Sequence, residues 1–180
     1  AFYYHIRGRE VKRVESNAMN GYDVATISYS FTNKPLTLTH VHTSGSKSLT
    51  EVYTYSYDYA DRLLKVQHKL DSNTIVTLAE YTYDDLGRVK QKKLGGTTHS
   101  STYSYNIRNW LTGITGSKFT QTLTYNNGTA GYNGNITAMG WTANGDSHHY
   151  DFAYDGLSRL TSATHGAGRF TEKVTSYDKN

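Results

Sequence analysis

Several residue and segment types are missing from this sequence. It has no cysteine and one proline in 180 residues. The absence of thiols excludes disulfide bonds, cysteine nucleophiles and thiolate metal sites. No segment approaches the roughly 18 consecutive apolar residues of a membrane helix, and the first residues, Ala1 to His5, lack the basic and then apolar layout of a signal peptide. We therefore expect no membrane span, and we expect any export signal to lie outside this chain.

Aliphatic residues are also scarce. Leu, Ile, Val and Phe make up 33 of the 180 residues, about 18%, which is below the roughly 20% at which disorder becomes a concern. Disorder also requires strong self-repulsion, but the net charge is only +4 and both signs are mixed along the chain. The 17 tyrosines favour half-buried pleated surfaces instead. The composition predicts an ordered, all-β protein.

A short pattern repeats along the chain, as expected for a strand array. Two aromatics separated by one residue are followed by Asp or Asn, and an aliphatic residue comes six positions after the second aromatic. Three copies place Arg directly before this aliphatic residue. The four clearest copies comprise Tyr55, Tyr57, Asp58, Arg62 and Leu63; Tyr81, Tyr83, Asp84, Gly87, Arg88 and Val89; Tyr103, Tyr105, Asn106 and Leu111; and Phe152, Tyr154, Asp155, Arg159 and Leu160.

Weaker copies fill the intervals between these four. With them, the second aromatic falls at positions 4, 31, 57, 83, 105, 132, 154 and 177, at spacings of 22 to 27 residues. Phe31 and Tyr132 represent two of the weaker copies. The chain is therefore interpreted as one segment, 1–180, of about eight repeats, and as a piece of something longer.

Each repeat is predicted to form a β-hairpin. In the copy from Tyr81 to Lys90, Asp84 can accept hydrogen bonds from amides ahead of it and Gly87 can take a positive φ, so a turn is expected there. Alternation places Tyr81 and Tyr83 on one face of the first strand. We expect each pair of rings to stack on the pair of a neighbouring hairpin and to replace an aliphatic core.

These motifs resemble those of the Rhs family, also called YD-repeat proteins, whose units centre on Tyr-Asp followed by Gly-Arg-Leu. The segments Tyr83-Asp84-Asp85-Leu86-Gly87-Arg88-Val89 and Tyr154-Asp155-Gly156-Leu157-Ser158-Arg159-Leu160 match this pattern. The segments 105–112 and 132–136 resemble variant units of Rhs proteins from Bacteroidetes-type bacteria. The resemblance covers nearly the whole chain and is clearest from Tyr53 onward.

The resemblance implies a curved ribbon of β-hairpins that spirals into a hollow shell, as in Rhs polymorphic toxins, toxin-complex cocoons and teneurins. In bacterial members the shell commonly encloses a variable C-terminal toxin. The expected function is therefore a structural, non-enzymatic shell segment of a large secreted or surface-displayed bacterial protein. Its expected partners are the rest of the same polypeptide, with further repeats and a C-terminal cargo, and secretion machinery. The family's terminal Asp-Pro-x-Gly-Leu segment is absent, so cargo and self-cleaving aspartates are expected outside this sequence.

The residues offer little catalytic chemistry. Asp58, Asp84, Asp155 and Asp178 occupy the same repeat position, where a turn explains them better than acid or base catalysis does. The Asp84–Arg88 and Asp155–Arg159 pairs are expected to set turn geometry. No strained Gly-x-Ser-x-Gly turn is present. We expect no enzymatic activity and no cofactor.

Histidine and glycine clusters are also better explained structurally. His40 and His42 share a face of a predicted strand, and His148 and His149 are adjacent, but no third ligand has a recognisable metal-site spacing. We therefore expect no metal. The segment 128–134 is glycine-rich but lacks the Gly-Lys-Ser/Thr ending of a phosphate loop, so it is interpreted as a connecting loop.

A glycan-binding or adhesive module at the cell surface is the alternative function. Exposed tyrosines can stack on sugar rings, and Lys90, Lys92 and Lys93 with a pI near 9.1 would attract anionic partners. Alternation predicts that Lys90 and Lys92 lie on the same face. A solvated strand face that discourages edge pairing explains the lysines equally well, and nucleic acid is not favoured as a partner.

Overall fold

The computed structural model describes residues 1–96, 98–126, 132–168 and 170–178. The chain divides into two compact units, Ala1–His99 and Ser100–Asn180. All regular structure in the described residues is β-strand, which confirms the all-β prediction. No helix in these residues is long and apolar enough to cross a membrane.

The first unit is an antiparallel meander in which each strand pairs with its neighbours in sequence. Its strands are β1 (Phe2–Tyr4), β2 (Glu10–Ser16), β3 (Tyr22–Tyr29), β4 (Pro35–Ser44), β5 (Lys47–Tyr57), β6 (Leu63–Leu70), β7 (Val76–Tyr83) and β8 (Val89–Leu94). Because consecutive turns alternate between the two ends of the strands, the turns 5–9, 30–34, 58–62 and 84–88 lie along one edge.

The second unit is built in the same way, with antiparallel pairing between consecutive strands. Its strands are β9 (His99–Tyr105), which begins at the unit boundary, β10 (Leu111–Gly116), β11 (Phe119–Thr124), β12 (Ala138–Ala143), β13 (Asp146–Tyr154), β14 (Leu160–His165) and β15 (Glu172–Lys173). In the repeat pattern, the turns 106–110 and 155–159 of this unit are equivalent to the turns 58–62 and 84–88 of the first unit.

Neither unit has a core of large side chains. The buried apolar residues among those described are four alanines, Ala25, Ala79, Ala138 and Ala163, and no large described side chain is fully buried. Alternation is visible within each strand: Tyr81 and Tyr83 are half-buried whereas Thr82 between them is exposed. Stability must therefore come from the strand ladder and from side chains that lie flat on the sheet.

A β-bulge follows six of the turns. In the hairpin of β7 and β8, Tyr83 pairs with Val89 and Thr82 pairs with Gln91, which leaves Lys90 as the extra residue. Such a bulge bends and twists the strand. The extra residue always stands second in the returning strand: Val11, Leu36, Leu64, Lys90, Thr112 and Thr161.

Candidate functional site

The turn after Tyr83 is held together by one carboxylate. Asp84 Oδ1 accepts hydrogen bonds from the backbone N–H groups of Leu86 (3.0 Å) and Arg88 (2.9 Å), and Oδ2 accepts one from Arg88 Nε (2.7 Å). Burial raises the pKa of Asp84, but the hydrogen bonds from Arg88 outweigh it, so the pKa lies below its usual value. This carboxylate acts as a turn organiser.

The same hydrogen bonds recur in two further turns. The Asp58 carboxylate accepts hydrogen bonds from the backbone N–H groups of Ala60 and Arg62, both at 2.9 Å, and from Arg62 Nε at 2.6 Å. Asp155 accepts the equivalent three hydrogen bonds from Leu157 and Arg159. The ion pairs expected across these turns are therefore present.

The first position of the turn also accepts other residue types. Asn106 caps the N–H groups of Arg108 and Trp110, Ser30 Oγ accepts from Lys34 N–H, and His5 Nδ1 accepts from Arg7 N–H. The fourth position has a positive φ in all six turns: Gly8, Asn33, Asp61, Gly87, Asn109 and Ser158.

A second contact joins a hairpin to the one before it within each unit. The hydroxyl of Tyr83 donates a 2.8 Å hydrogen bond to the carbonyl oxygen of Leu63, in the preceding hairpin. The guanidinium carbon of Arg62 lies 4.7 Å from the centre of the Tyr83 ring, and Asp58 holds that guanidinium in place. We call this arrangement a tyrosine joint.

Tyrosine joints recur at similar positions in both units. In each, the hydroxyl donates to a backbone carbonyl of the preceding hairpin, at the start of its returning strand or, for Ile136, two residues before that strand. The further pairs are Tyr29 to Glu10 (2.9 Å), Tyr57 to Pro35 (2.9 Å), Tyr125 to Leu111 (2.7 Å), Tyr154 to Ile136 (2.8 Å) and Tyr177 to Leu160.

The partner over the ring varies between joints. The guanidinium carbon of Arg9 lies 4.9 Å from the centre of the Tyr29 ring, and that of Arg159 lies 4.8 Å from the centre of the Tyr177 ring. At Tyr125 the arginine is replaced by Trp110, whose ring centre lies 4.9 Å from that of the tyrosine. The same position therefore takes either a cation or an aromatic ring, both of which pack against a tyrosine face.

Five of the six joints found among the described residues satisfy an acceptor beside a bulge. Leu63, Pro35 and Leu111 each stand directly before the extra residue of the bulge, where the ladder is disrupted. A backbone carbonyl at such a point needs a donor, and the tyrosine hydroxyl supplies it. Burial raises the pKa values of Tyr57, Tyr83, Tyr125 and Tyr154, so the donating hydroxyl stays protonated.

The expected stacking of tyrosine pairs on neighbouring tyrosine pairs is wrong for β5 and β7 of the first unit. No ring contact joins Tyr55 or Tyr57 to Tyr81 or Tyr83 among the described residues. Strand β6 lies between these strands, and two strand spacings amount to about 9–10 Å. Tyr83 instead reaches the start of β6, where its hydroxyl bonds the Leu63 carbonyl and its ring contacts the neighbouring Arg62.

Two of the weaker repeat assignments are also corrected. The aromatic that makes the joint before the turn 30–34 is Tyr29, whereas Phe31 is an exposed residue of that turn. Likewise, the sequence pattern took Tyr132 as the second aromatic of its repeat, but Tyr132 lies outside any strand. The joint in that repeat is made by Tyr125. Tyr29-Ser30 and Tyr125-Asn126 carry the tyrosine-then-cap signal that could have identified both positions.

The remaining residues of the predicted repeat lie at corresponding positions in their hairpins. Leu63, Val89, Leu111 and Leu160 begin the returning strands opposite Tyr57, Tyr83, Tyr105 and Tyr154. Tyr55 and Tyr103 are half-buried on their strands, and Phe152 stacks on Tyr150 with ring centres 6.1 Å apart.

Lys90 and Lys92, which were expected to share a face, lie in different settings. Lys92 pairs with Tyr81 and its Nζ lies 5.9 Å from the centre of that ring, whereas Lys90 is the exposed extra residue of the bulge. The bulge interrupts the alternation on which the prediction depended.

The histidines lie in two separate settings. In the first unit, His42 Nδ1 is 2.5 Å from Asp23 Oδ1, and His40 Nδ1 is 4.0 Å from Glu51. In the second, His148 stacks on Trp141 at 5.0 Å. In the parts of the chain that the structure describes, no three His, Cys, Asp or Glu residues are arranged to hold a metal ion. Of the glycine-rich segment 128–134, residues 128–131 lie outside the described residues.

Comparison with known proteins identifies the fold. No family model matches the sequence, and no curated protein matches it. A crystal structure titled TcdB2-TccC3-Cdc42 matches 86% of this chain with a TM-score of 0.55 and 16% identity. A structure titled TcdB2-TccC3 without hypervariable C-terminal region matches 87% with the same score and identity.

A third match, to the Photorhabdus luminescens Tc holotoxin pore, has a TM-score of 0.46, 14% identity and 84% coverage of this chain. This chain spans only about a tenth of the length of the solved chains that it matches. Two matches at a TM-score of 0.55 show that this chain has the strand architecture found in part of the TcdB2-TccC3 chains.

Proposed function

We propose that this chain is a structural, non-enzymatic segment of an Rhs-repeat shell. The observation that carries the proposal is the tyrosine joint, which is found at six places among the described residues and connects consecutive hairpins without a core of large side chains. A repeat held only by its neighbours is suited to building a long wall. The Tyr-Asp and Gly-Arg signature and the fold shared with TcdB2-TccC3 chains support the Rhs assignment.

The wall works by exclusion. Paired strands present no free backbone to a protease, and the polar and aromatic faces need no further layer. One matched structure is described as lacking its hypervariable C-terminal region. By analogy, the parent of this chain carries a variable C-terminal cargo within or beside the shell, and is secreted or displayed at the bacterial surface.

Electron microscopy of the native polypeptide, purified from its source, tests the shell. The proposal predicts hollow closed particles with walls one sheet thick. Open or filamentous particles would contradict it.

The proposal that the chain is non-enzymatic requires its own assay. The carboxylates of Asp58, Asp84 and Asp155 are occupied by turn hydrogen bonds, so none of these three is available as a general base. Purified chain should show no turnover with peptide, ester, glycoside and phosphoester substrates. Activity that co-purifies with the chain and is lost on Asp84→Asn substitution would overturn this part of the proposal.

A further inference from the structure

The turns of the first unit expose a row of large apolar side chains. Each of the turns 5–9, 30–34, 58–62 and 84–88 contributes one such residue, although its other positions are occupied by the hydrogen-bonded turn. The exposed fractions are 96% for Ile6, 87% for Phe31, 98% for Tyr59 and 71% for Leu86. We call this row the turn edge. Single exposed apolar residues are ordinary, but one in each of four turns along the same edge indicates an interaction surface.

The first three turns of the turn edge are linked to one another before any partner binds. Arg9 Nη1 donates to Asn33 Oδ1 at 2.6 Å, and Thr32 Oγ1 donates to Asp61 Oδ1 at 2.9 Å. The guanidinium of Arg7 lies 5.5 Å from the Phe31 ring. These contacts link the first three turns in series, so little backbone entropy remains to be lost in these turns on docking. The row members recur every second strand, at about 9–10 Å.

The net charge of the four turns changes from positive to negative along the turn edge. The first turn carries two arginines and no acid, and the second carries one lysine and no acid. The third and fourth turns each carry two aspartates and one arginine. One end of the edge is therefore positive and the other is negative. An identical edge laid antiparallel would place the positive end of each copy on the negative end of the other.

We propose that the turn edge is a self-complementary surface that binds a second copy of itself about a two-fold axis. In this arrangement Ile6 faces Leu86 of the second copy, and Phe31 faces Tyr59. Arg7 approaches Asp85 of the second copy at each end. Eight side chains of this size bury on the order of 1,000 Å², the lower limit of a specific interface, so the association is expected to be weak.

The opposite edge of the same unit provides a matched control. Its turns include Met19 and Ile75, which are 63% and 61% exposed but belong to no row of the same spacing. The test variant is Ile6→Ser, Phe31→Ser, Tyr59→Ser and Leu86→Ser together. The control variant is Met19→Ser with Ile75→Ser. All six side chains are exposed, so both variants should remain folded in denaturant unfolding, and the test variant loses only the Arg7–Phe31 contact from the fold.

Sedimentation equilibrium of the 180-residue chain over a dilution series measures the dimer. The proposal predicts a reversible dimer whose Kd rises at least about tenfold in the test variant and is unchanged in the control variant. A chain that is monomeric throughout, or association that survives in the test variant through exposed strand edges, would overturn the proposal.

Charge exchange tests the antiparallel geometry directly. Arg7→Asp and Asp85→Arg should each weaken the homodimer, because each places like charges opposite one another. A mixture of these two single variants should form a heterodimer as tight as the parent dimer, because both contacts then pair opposite charges. Failure of the mixture to recover would overturn the antiparallel arrangement. The shell proposal is tested separately by microscopy of the native polypeptide, so either can fail alone.

Discussion

The hydroxyl of Tyr83 and the carbonyl oxygen of Leu63 form a 2.8 Å hydrogen bond that joins one hairpin to the next. Tyr83→Phe removes only the hydroxyl and leaves the carbonyl beside the bulge without this donor. We expect the free energy of unfolding to fall by about 1 kcal/mol. The control is Tyr59→Phe, whose hydroxyl lies on a side chain that is 98% exposed. Equal denaturant midpoints for the two variants would show that the joint contributes nothing.

The turn carboxylate of Asp84 should be replaceable by an amide but not by a methyl group. Asn keeps the Oδ1 acceptor for the backbone N–H groups of Leu86 and Arg88, as Asn106 does in the second unit. Ala loses the cap entirely. We predict that thermal stability decreases from Asp to Asn to Ala. The neighbouring Asp85→Ala is the control, and a loss as large as that of Asp84→Ala would contradict the assignment.

Gly87 and Gly156 should respond in opposite ways to alanine. Gly87 has a φ of +80°, and an added Cβ would lie 2.9 Å from the Arg62 guanidinium, so Gly87→Ala should destabilise the fold by about 1 kcal/mol or more. Gly156 has no such φ and no atom within 4 Å of an added Cβ. Gly156→Ala should be neutral or stabilising, since it reduces the freedom of the unfolded chain. Urea unfolding of both variants measures the contrast.

Stability should decline at both ends of the pH scale. Asp58, Asp84 and Asp155 have pKa values lowered from 3.8, so their contribution is present above that pH and is lost as the pH falls through the lowered values. For Asp155 the backbone N–H of Arg159 is the largest cause. For Asp58 and Asp84, burial opposes ionisation, and hydrogen bonds to Arg62 and Arg88 outweigh it.

The alkaline decline depends on the joints. Burial raises the pKa values of Tyr57, Tyr83, Tyr125 and Tyr154 from 10.0, so their contribution is complete below that pH and is lost as the pH rises through the raised values. Denaturant midpoints across the pH range should form a plateau with a fall on each side. Tyr83→Phe should reduce the alkaline fall. A midpoint that does not change above pH 10 would contradict the role of these hydroxyls.

The sequence was sufficient for the strands and for most of the turns. Alternation of Tyr with Thr or Ser predicts a strand, and the Asp or Asn that follows predicts the turn. Both depend only on neighbouring residues in the sequence. The partner of Tyr83 could not be predicted in this way, because the bulge at Leu64 and the placement of Arg62 over the ring depend on three strands at once. Tyr29 and Tyr125 were missed for a different reason: the aromatic-doublet pattern favoured Phe31 and Tyr132, although the local tyrosine-then-cap signal marks Tyr29 and Tyr125.

The mass of the native polypeptide tests the central claim most directly. A segment of a repeat shell must belong to a longer chain, because about eight hairpins cannot close a shell. Mass spectrometry of the polypeptide isolated from its source, with peptide sequencing on both sides of these 180 residues, should give a mass far above 20.2 kDa. The flanking peptides should contain further Tyr-Asp repeats. A native chain of 20.2 kDa with no further repeats would contradict the proposal that it is part of a shell.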